Sequence, residues 1–455
     1  MNNNKINRRD FMKMVGTGAI ATTTISSMVG CENTNHTNRN LPTEQMTYRI
    51  NPKNGDKISL LGFGMMRLPQ VQRSRGESLP DVNDIDQEAV NNLVDYAIEH
   101  GVNVFDTAPP YGKGFSESVT GEALSRHKRD KFYIATKLMN RGENATRENS
   151  IKIYENSFKN LKVDYIDYYM LHNVGNFQSF EERFIKNGML DFLYKEKEKG
   201  KIRNLGWSFH GEGDFFEYLV SGKYKWDFAL IQVNYLDWYS SVSWSTINGR
   251  KQYELLTEAG IPVWVMEPML GGGLAMPHHL AREKMLRMNP KASPASFAFR
   301  FVGSLPNVNT TLSGMRFMDH LQDNIHTHAP LVPLNEKEYE MIESIVEIML
   351  SKRTINCTLC QYCMPCPYGV DIPEIFAHYN RSMNEGNYPE NNQSPDYRRA
   401  RKAFLRGLDR HVIAIRQADR CINCRLCIPN CPQRINIPNQ LRRIDAFVES
   451  LKMEE

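Results

Sequence analysis

Val104-Phe105-Asp106-Thr107-Ala108-Pro109-Pro110-Tyr111-Gly112 begins as an apolar strand and runs into a loop stiffened by two prolines. The strand ends on a carboxylate, and the loop carries a phenol five residues further on. In a barrel, the C-terminal edge of the strands is the face where chemistry is done, so this stretch predicts half of an active site. Taken alone, it describes equally well a strand and a loop whose Tyr only packs.

Outward from this stretch, strand and helix patterns alternate with short connections, which predicts a parallel sheet. Asn54-Gly55 signals a hairpin at the start. Strands are expected at Ile58 to Gly62, Val104 to Asp106, Phe132 to Thr136, Ile166 to Leu171, Asn204 to Ser208, Phe228 to Gln232, Val263 to Glu267 and Val308 to Leu312. Helices are expected at Asp86 to His100, Arg147 to Leu161 and Leu190 to Lys199, the last stopped by Gly200. Eight strands over this length predict an α/β fold, a (β/α)8 TIM barrel. A doubly wound sheet is the alternative, but no G-x-G-x-x-G follows the first strand.

Two further polar residues stand at strand ends, Lys137 after Phe132-Tyr133-Ile134-Ala135-Thr136 and His172 after Tyr168-Tyr169-Met170-Leu171. Either alone reads as a solvated or satisfied polar cap. With Asp106 and Tyr111 they form a set that a barrel would bring to one mouth. An unperturbed phenol titrates near 10, too high for fast proton exchange at neutral pH. A Lys137 ammonium held by Asp106 is expected to lower it, while His172 hydrogen-bonds a carbonyl oxygen. None of these side chains can deliver a hydride, so a nicotinamide ring is required.

Phe-Asp-Thr-Ala-x-x-Tyr-Gly, then Ala-Thr-Lys and Leu-His, resembles the aldo/keto reductase family over roughly residues 47–330. The resemblance implies a catalytic tetrad of Asp106, Tyr111, Lys137 and His172. It also implies that Ser208 and Gln232 contact the nicotinamide carboxamide. Met266 stands where the family offers an aromatic ring. Gly271-Gly272-Gly273 would let the backbone approach a pyrophosphate at Gly272, or would form a mobile loop. Ser313-Gly314-Met315-Arg316 with Asp323-Asn324 resembles the family's adenosine-phosphate clamp, with His320 replacing a Gln. That clamp implies Ser313, Gly314, Arg316 and Asn324 as cofactor contacts, and Arg316 leans the cofactor towards NADP(H), with NAD(H) as the alternative. Trp238 and Tyr239 either line a substrate pocket or pack under a loop.

Of nine cysteines, eight lie in two runs, Cys357-x2-Cys360-x2-Cys363-x2-Cys366-Pro367 and Cys421-x2-Cys424-x2-Cys427-x3-Cys431-Pro432. Clustering of this kind means ligands rather than disulfides. The second run has the bacterial ferredoxin spacing, and the pair predicts two [4Fe-4S] clusters; zinc is the alternative. Resemblance to two-cluster ferredoxins implies crossed ligation, Cys431 joining Cys357, Cys360 and Cys363, and Cys366 joining Cys421, Cys424 and Cys427. Between the runs, residues 367–420 predict a helix at Ile372 to Glu385, a polar loop, and a basic helix from Tyr397. The basic helix reads as a solvated face or a docking patch for an acidic electron carrier.

The expected layout is a signal at 1–31, a polar linker at 32–46, the barrel at 47–334, a connecting helix at 335–352 packed between units, and a small α-rich ferredoxin-like domain at 353–455. Arg8-Arg9 ahead of a small-residue run from Val15 to Val29 resembles a twin-arginine export signal, and Met28-Val29-Gly30-Cys31 resembles a lipobox. The product would be periplasmic or a membrane-anchored lipoprotein whose only membrane contact is a lipid on Cys31, or cytoplasmic if the signal is not used. With 56 basic and 52 acidic residues and no basic block among aromatics, a nucleic-acid partner is excluded. The chain therefore reads as an oxidoreductase interconverting a small-molecule carbonyl and alcohol, with clusters that serve a redox partner. The alternative is an iron-sulfur electron-transfer protein whose barrel is a docking or regulatory scaffold.

Overall fold

The structure, a computed structural model, describes residues 45–71, 85–240, 245–352 and 354–453. The paired arginines and Cys31, with the export and lipidation expectations, lie outside the described residues. No helix among the described residues is long and apolar enough to cross a membrane.

Two short antiparallel strands, β1 (Tyr48–Ile50) and β2 (Lys57–Ser59), form the hairpin expected at Asn54-Gly55. Gly55 carries the positive φ, 80°, that such a turn needs. Eight parallel strands then close a barrel: β3 (Leu61–Gly64), β4 (Val104–Asp106), β5 (Tyr133–Leu138), β6 (Ile166–Val174), β7 (Ile202–Phe209), β8 (Phe228–Gln232), β9 (Val263–Met266) and β10 (Val308–Ser313), with β10 returning to pair with β3. The first predicted strand, Ile58 to Gly62, is corrected: it straddles β2 and β3, because hairpin and barrel strands abut at Leu60. Strands β5 and β6 also run further than expected, so Lys137 and His172 lie within strands rather than beyond them.

Alternation along the strands fills the barrel. Val104, Ala135, Tyr168, Met170, Phe228, Leu230, Trp264 and Leu312 form one buried apolar cluster with Ile58 of the hairpin. The hairpin plugs the bottom, where Tyr168 donates from its hydroxyl to Asp56 Oδ2 at 2.6 Å and accepts from Asn51 Nδ2 at 3.2 Å. Continuing the same parity up each strand lands on Asp106, Lys137, His172, Ser208, Gln232 and Met266. The predicted polar residues are thus the top interior layer of the barrel, set there by a period of two.

Helix Glu336–Leu350 begins with a capping box of Asn335 and Glu338, and Glu338 also takes a bidentate pair from Arg300 at 2.6 and 2.7 Å. Its Met341, Ile342, Ile345 and Val346 belong to the barrel's own core, so this helix is part of the barrel wall rather than a bridge between units. The C-terminal region packs helices Ile372–Asn384, Tyr397–His411 and Ile437–Met453 around Phe376, Tyr379, Phe404, Leu408, Leu441 and Ile444. The third of these was not foreseen. On Tyr397–His411, Arg398, Arg399, Lys402, Arg406 and Arg410 are exposed, as both a solvated face and a docking patch require.

Candidate active site

Four predicted residues meet at the barrel's C-terminal mouth. Lys137 Nζ donates to Asp106 Oδ1, Asp106 Oδ2 and the Thr107 carbonyl, each at 2.7 Å, and lies 4.8 Å from the centre of the Tyr111 ring. Tyr111 stands edge-on to His172, ring centres 5.8 Å apart. The Tyr111 loop is fixed from beneath: Thr107 Oγ1 meets Ser116 Oγ at 2.7 Å, and Ser116 Oγ donates to the Met65 carbonyl at 2.6 Å.

Electrostatics differ from expectation at one point. Burial, and then the charges of Asp106, Tyr362, Glu267 and Cys360, hold the Tyr111 phenol well above its ordinary value. Lys137 does not lower it: its ammonium charge is matched by the Asp106 carboxylate at 2.7 Å, and that carboxylate's own charge disfavours a phenolate. Burial pushes the Asp106 carboxyl up and the Lys137 ammonium down, and each partner's charge opposes that. Burial, aided by Lys137, Arg183, Arg141 and His210, pulls His172 well below the usual imidazole range, so it is neutral at physiological pH.

Ser208 Oγ accepts from the Asn173 amide at 2.8 Å, which leaves its own O–H to donate. Gln232 Nε2 donates to Asp237, while its buried Oε1 has no partner. One free donor and one orphaned acceptor on neighbouring inward positions fit a carboxamide, as the resemblance implies. The clamp is less direct. Asn324 Nδ2 donates to Ser313 Oγ at 2.9 Å and both are buried, and Arg316 is turned towards Leu68 O and Gln70 Oε1 at 3.3 and 3.4 Å. Trp238 is buried against Tyr253 and Phe301, and Tyr239 donates to Glu343 at 3.3 Å, so the pocket alternative for these two is corrected: they pack.

The cysteine region supplies part of the mouth. Arg67 donates to Gly271 O at 2.9 Å and to Thr358 O, and so clips the glycine turn to the loop that carries Cys357, Cys360 and Cys363. A Cβ on Gly271 would lie 2.5 Å from Thr358 Cα, at a φ of 69° that L side chains rarely adopt. Gly272, by contrast, has nothing within 4 Å of such a position. Gly271→Ala is therefore expected to weaken this docking by about 1–3 kcal/mol. Hydrogen exchange across residues 354–363 checks it; protection equal to wild type would contradict the contact.

The thiols sort into two quartets across the runs. Cys357, Cys360, Cys363 and Cys431 act on one another, and Cys427 is flanked by Cys421, Cys424 and Cys366. A small, partly open space lies among the first quartet, walled by Ile372, Phe376, Ile435 and Ile437. Among the described residues no group of three or more His, Cys, Asp and Glu is drawn together tightly enough to hold a single metal ion. Burial and neighbouring thiols push Cys357 up to about 12 and Cys427 up to about 11, so ligation needs a core charge large enough to strip these protons.

Residues missed in the sequence sit around the mouth, Arg67, Arg141, His210, Glu267 and Tyr362 on loops and Arg183 in the short helix Glu181–Ile185. Their only sequence signal is adjacency, Arg141 following β5 and Tyr362 standing between two ligand cysteines.

The profile of the aldo/keto reductase family matches residues 60–347, and that of a 4Fe-4S dicluster domain matches residues 356–436. The chain is 32% identical over 128 residues to the aldo-keto reductase YhdN of Bacillus subtilis, covering 27% of this chain and 37% of that protein. It is 33% identical over 161 residues to a probable aldo-keto reductase of Glycine max, covering 34% of this chain and 42% of that protein. The chain thus spans less than half the length of these two relatives. A longer match, 25% identical over 271 residues, covers 56% of this chain and 86% of the uncharacterized oxidoreductase YqkF of Bacillus subtilis. Among solved structures, the aldo-keto reductase AKR11C1 from Bacillus halodurans shares the barrel fold, with a TM-score of 0.53 at 22% identity over 66% of this chain and 96% of that one.

Proposed function

Since the chain belongs to the aldo/keto reductase family, we propose that this oxidoreductase, which also carries an iron-sulfur domain, interconverts a small-molecule carbonyl and its alcohol with a nicotinamide cofactor. The observation that carries this is the convergence of Tyr111, His172 and the Lys137–Asp106 pair at one barrel mouth. When bound, the nicotinamide supplies the hydride, and iron-sulfur clusters supply single electrons. The protein's own part is to bind and orient the carbonyl and to move one proton. Tyr111, kept protonated by burial, donates to the carbonyl oxygen, and neutral His172 holds that oxygen without competing for the proton. Lys137 and Asp106 fix the phenol's position through ring contact and loop geometry rather than through acidity.

Ser208 and Gln232 would hold the carboxamide. Arg316, with Arg67 as its positive neighbour, favours an extra phosphate and hence NADPH. A redox protein partner for the clusters, and export by the twin-arginine route with a lipid on Cys31, belong to the same proposal. A second reading, electron transfer without nicotinamide turnover, is favoured by Thr358 covering Gly271 on the turn assigned to the pyrophosphate. NADPH titration of anaerobically purified holoprotein, followed by a carbonyl screen, separates the two. Tight binding and turnover support the reductase; neither, with reducible clusters, supports the second.

The pH profile adds a check. Tyr111 loses its acid form only as pH rises beyond the ordinary phenol value of 10.0, and His172 gains a proton only below the ordinary 6.5. The kcat/KM for reduction is therefore expected to stay flat from about pH 7 to about pH 9. An alkaline limb near neutrality would contradict the protonated phenol.

A further inference from the structure

Two guanidinium groups lie beside His172 with no carboxylate opposite them. Arg183 donates only to carbonyl oxygens: Asn140 O at 3.0 Å, Asn173 O at 3.0 Å and His172 O at 2.6 Å. It also reaches the Asn140 side-chain oxygen at 3.3 Å. Arg141 donates to the same Asn173 oxygen at 3.1 Å. Asn173 itself is held in the left-handed region at a φ of 51°, on the strand that bears His172. Two cations converging on one carbonyl oxygen repel each other, and Arg434 adds a third positive charge near Arg141. Burial and the Arg141 charge bring Arg183 down to about 9.

The acids at this mouth do not offset them. Asp106 is neutralised by Lys137, and Glu267 accepts from the Gly271 amide at 2.7 Å. Among the described residues, neither Arg141 nor Arg183 forms an ion pair. Arg183 is buried and Arg141 is exposed at the mouth, and two cations held together without a carboxylate leave Arg141 free to take an anion.

A neutral donor completes the picture. The Tyr362 hydroxyl is buried and has no hydrogen-bond partner, and the residue acts electrostatically on both Tyr111 and Arg141. It comes from the cysteine loop, between Cys360 and Cys363, and so reaches the mouth from a different segment of the chain than Arg141.

We propose that Arg141 and Tyr362 form an anion subsite beside the tetrad, which takes the carboxylate of a 2-oxo acid or the corresponding 2-hydroxy acid. This deepens the reductase reading and rests on it for the identity of the reacting carbonyl. Arg183 is a positioning residue: it holds the Asn173 carbonyl that aims Arg141. The ferredoxin-like region then contributes a wall of the substrate pocket, so the site is incomplete without it.

The test is binding, which needs no turnover. Benzoylformate and its neutral methyl ester are titrated calorimetrically into the holoprotein, wild type and the variants Arg141→Gln and Tyr362→Phe. A charge-assisted contact predicts that wild type binds the acid about 10- to 100-fold more tightly than the ester. Arg141→Gln is expected to abolish that preference and Tyr362→Phe to reduce it several-fold. Equal affinity of wild type for acid and ester would overturn the subsite, as would a preference that survives Arg141→Gln. The wild-type comparison decides even if a variant fails to fold. Selective binding of the acid without reduction by NADPH would leave the subsite standing and remove the reductase; reduction of both compounds without selectivity would do the reverse.

Discussion

Tyr111→Phe is expected to lower kcat for carbonyl reduction by about 10²- to 10⁴-fold, the usual contribution of a positioned general acid. The substitution removes one oxygen and keeps the ring, so the contacts with Lys137 at 4.8 Å and His172 at 5.8 Å survive. Nicotinamide and substrate binding, measured by titration, should hold within a few-fold, because the loss falls on the transition state rather than the ground state. The groups touching Tyr111 are poor substitutes as acids: His172 is neutral, and all three Lys137 N–H groups are in use. Equal turnover by the variant would remove Tyr111 from the chemistry.

The second large effect concerns the crossed quartets. Cys357→Ala and Cys431→Ala, singly or together, should each leave about four of eight irons per chain, since both thiols serve one site. Cys357→Ala combined with Cys366→Ala should lose nearly all of them, because those two belong to different quartets. Run-by-run ligation predicts the opposite pattern for the two double variants. Iron analysis with EPR of the reduced protein therefore decides it without a structure. Variants that lose the Cys357 quartet should also disturb the barrel mouth, because Thr358 and Tyr362 share its loop.

The barrel was legible because its interior follows a period of two, which carries Val104 to Asp106, Ala135 to Lys137 and Met170 to His172 on one parity. The strand bounds were less so. Nothing local marks where Ser59 leaves the hairpin and Leu61 enters the barrel, since both stretches are short and apolar. For the phenol's acidity, sequence shows that a Lys and a Tyr come together, but not that burial and the Asp106 charge hold the phenol up. Arg141, Arg183 and Tyr362 were invisible because their meaning depends on contacts across loops and across the two regions.

The crossing of the quartets has a consequence for chain entropy. With crossed ligation each metal site would join thiols from both ends of the intervening segment, so a loaded cluster would cross-link the chain over about 70 residues (Cys363 to Cys431) at one site and about 55 (Cys366 to Cys421) at the other, as a disulfide would. By the loop-closure relation, such a link removes roughly 4 kcal/mol of freedom from the unfolded state. Helices Ile372–Asn384 and Tyr397–His411 lie inside both loops. Metals bound in this way would tether a segment whose own apolar core is small, with one closed loop nested inside the other.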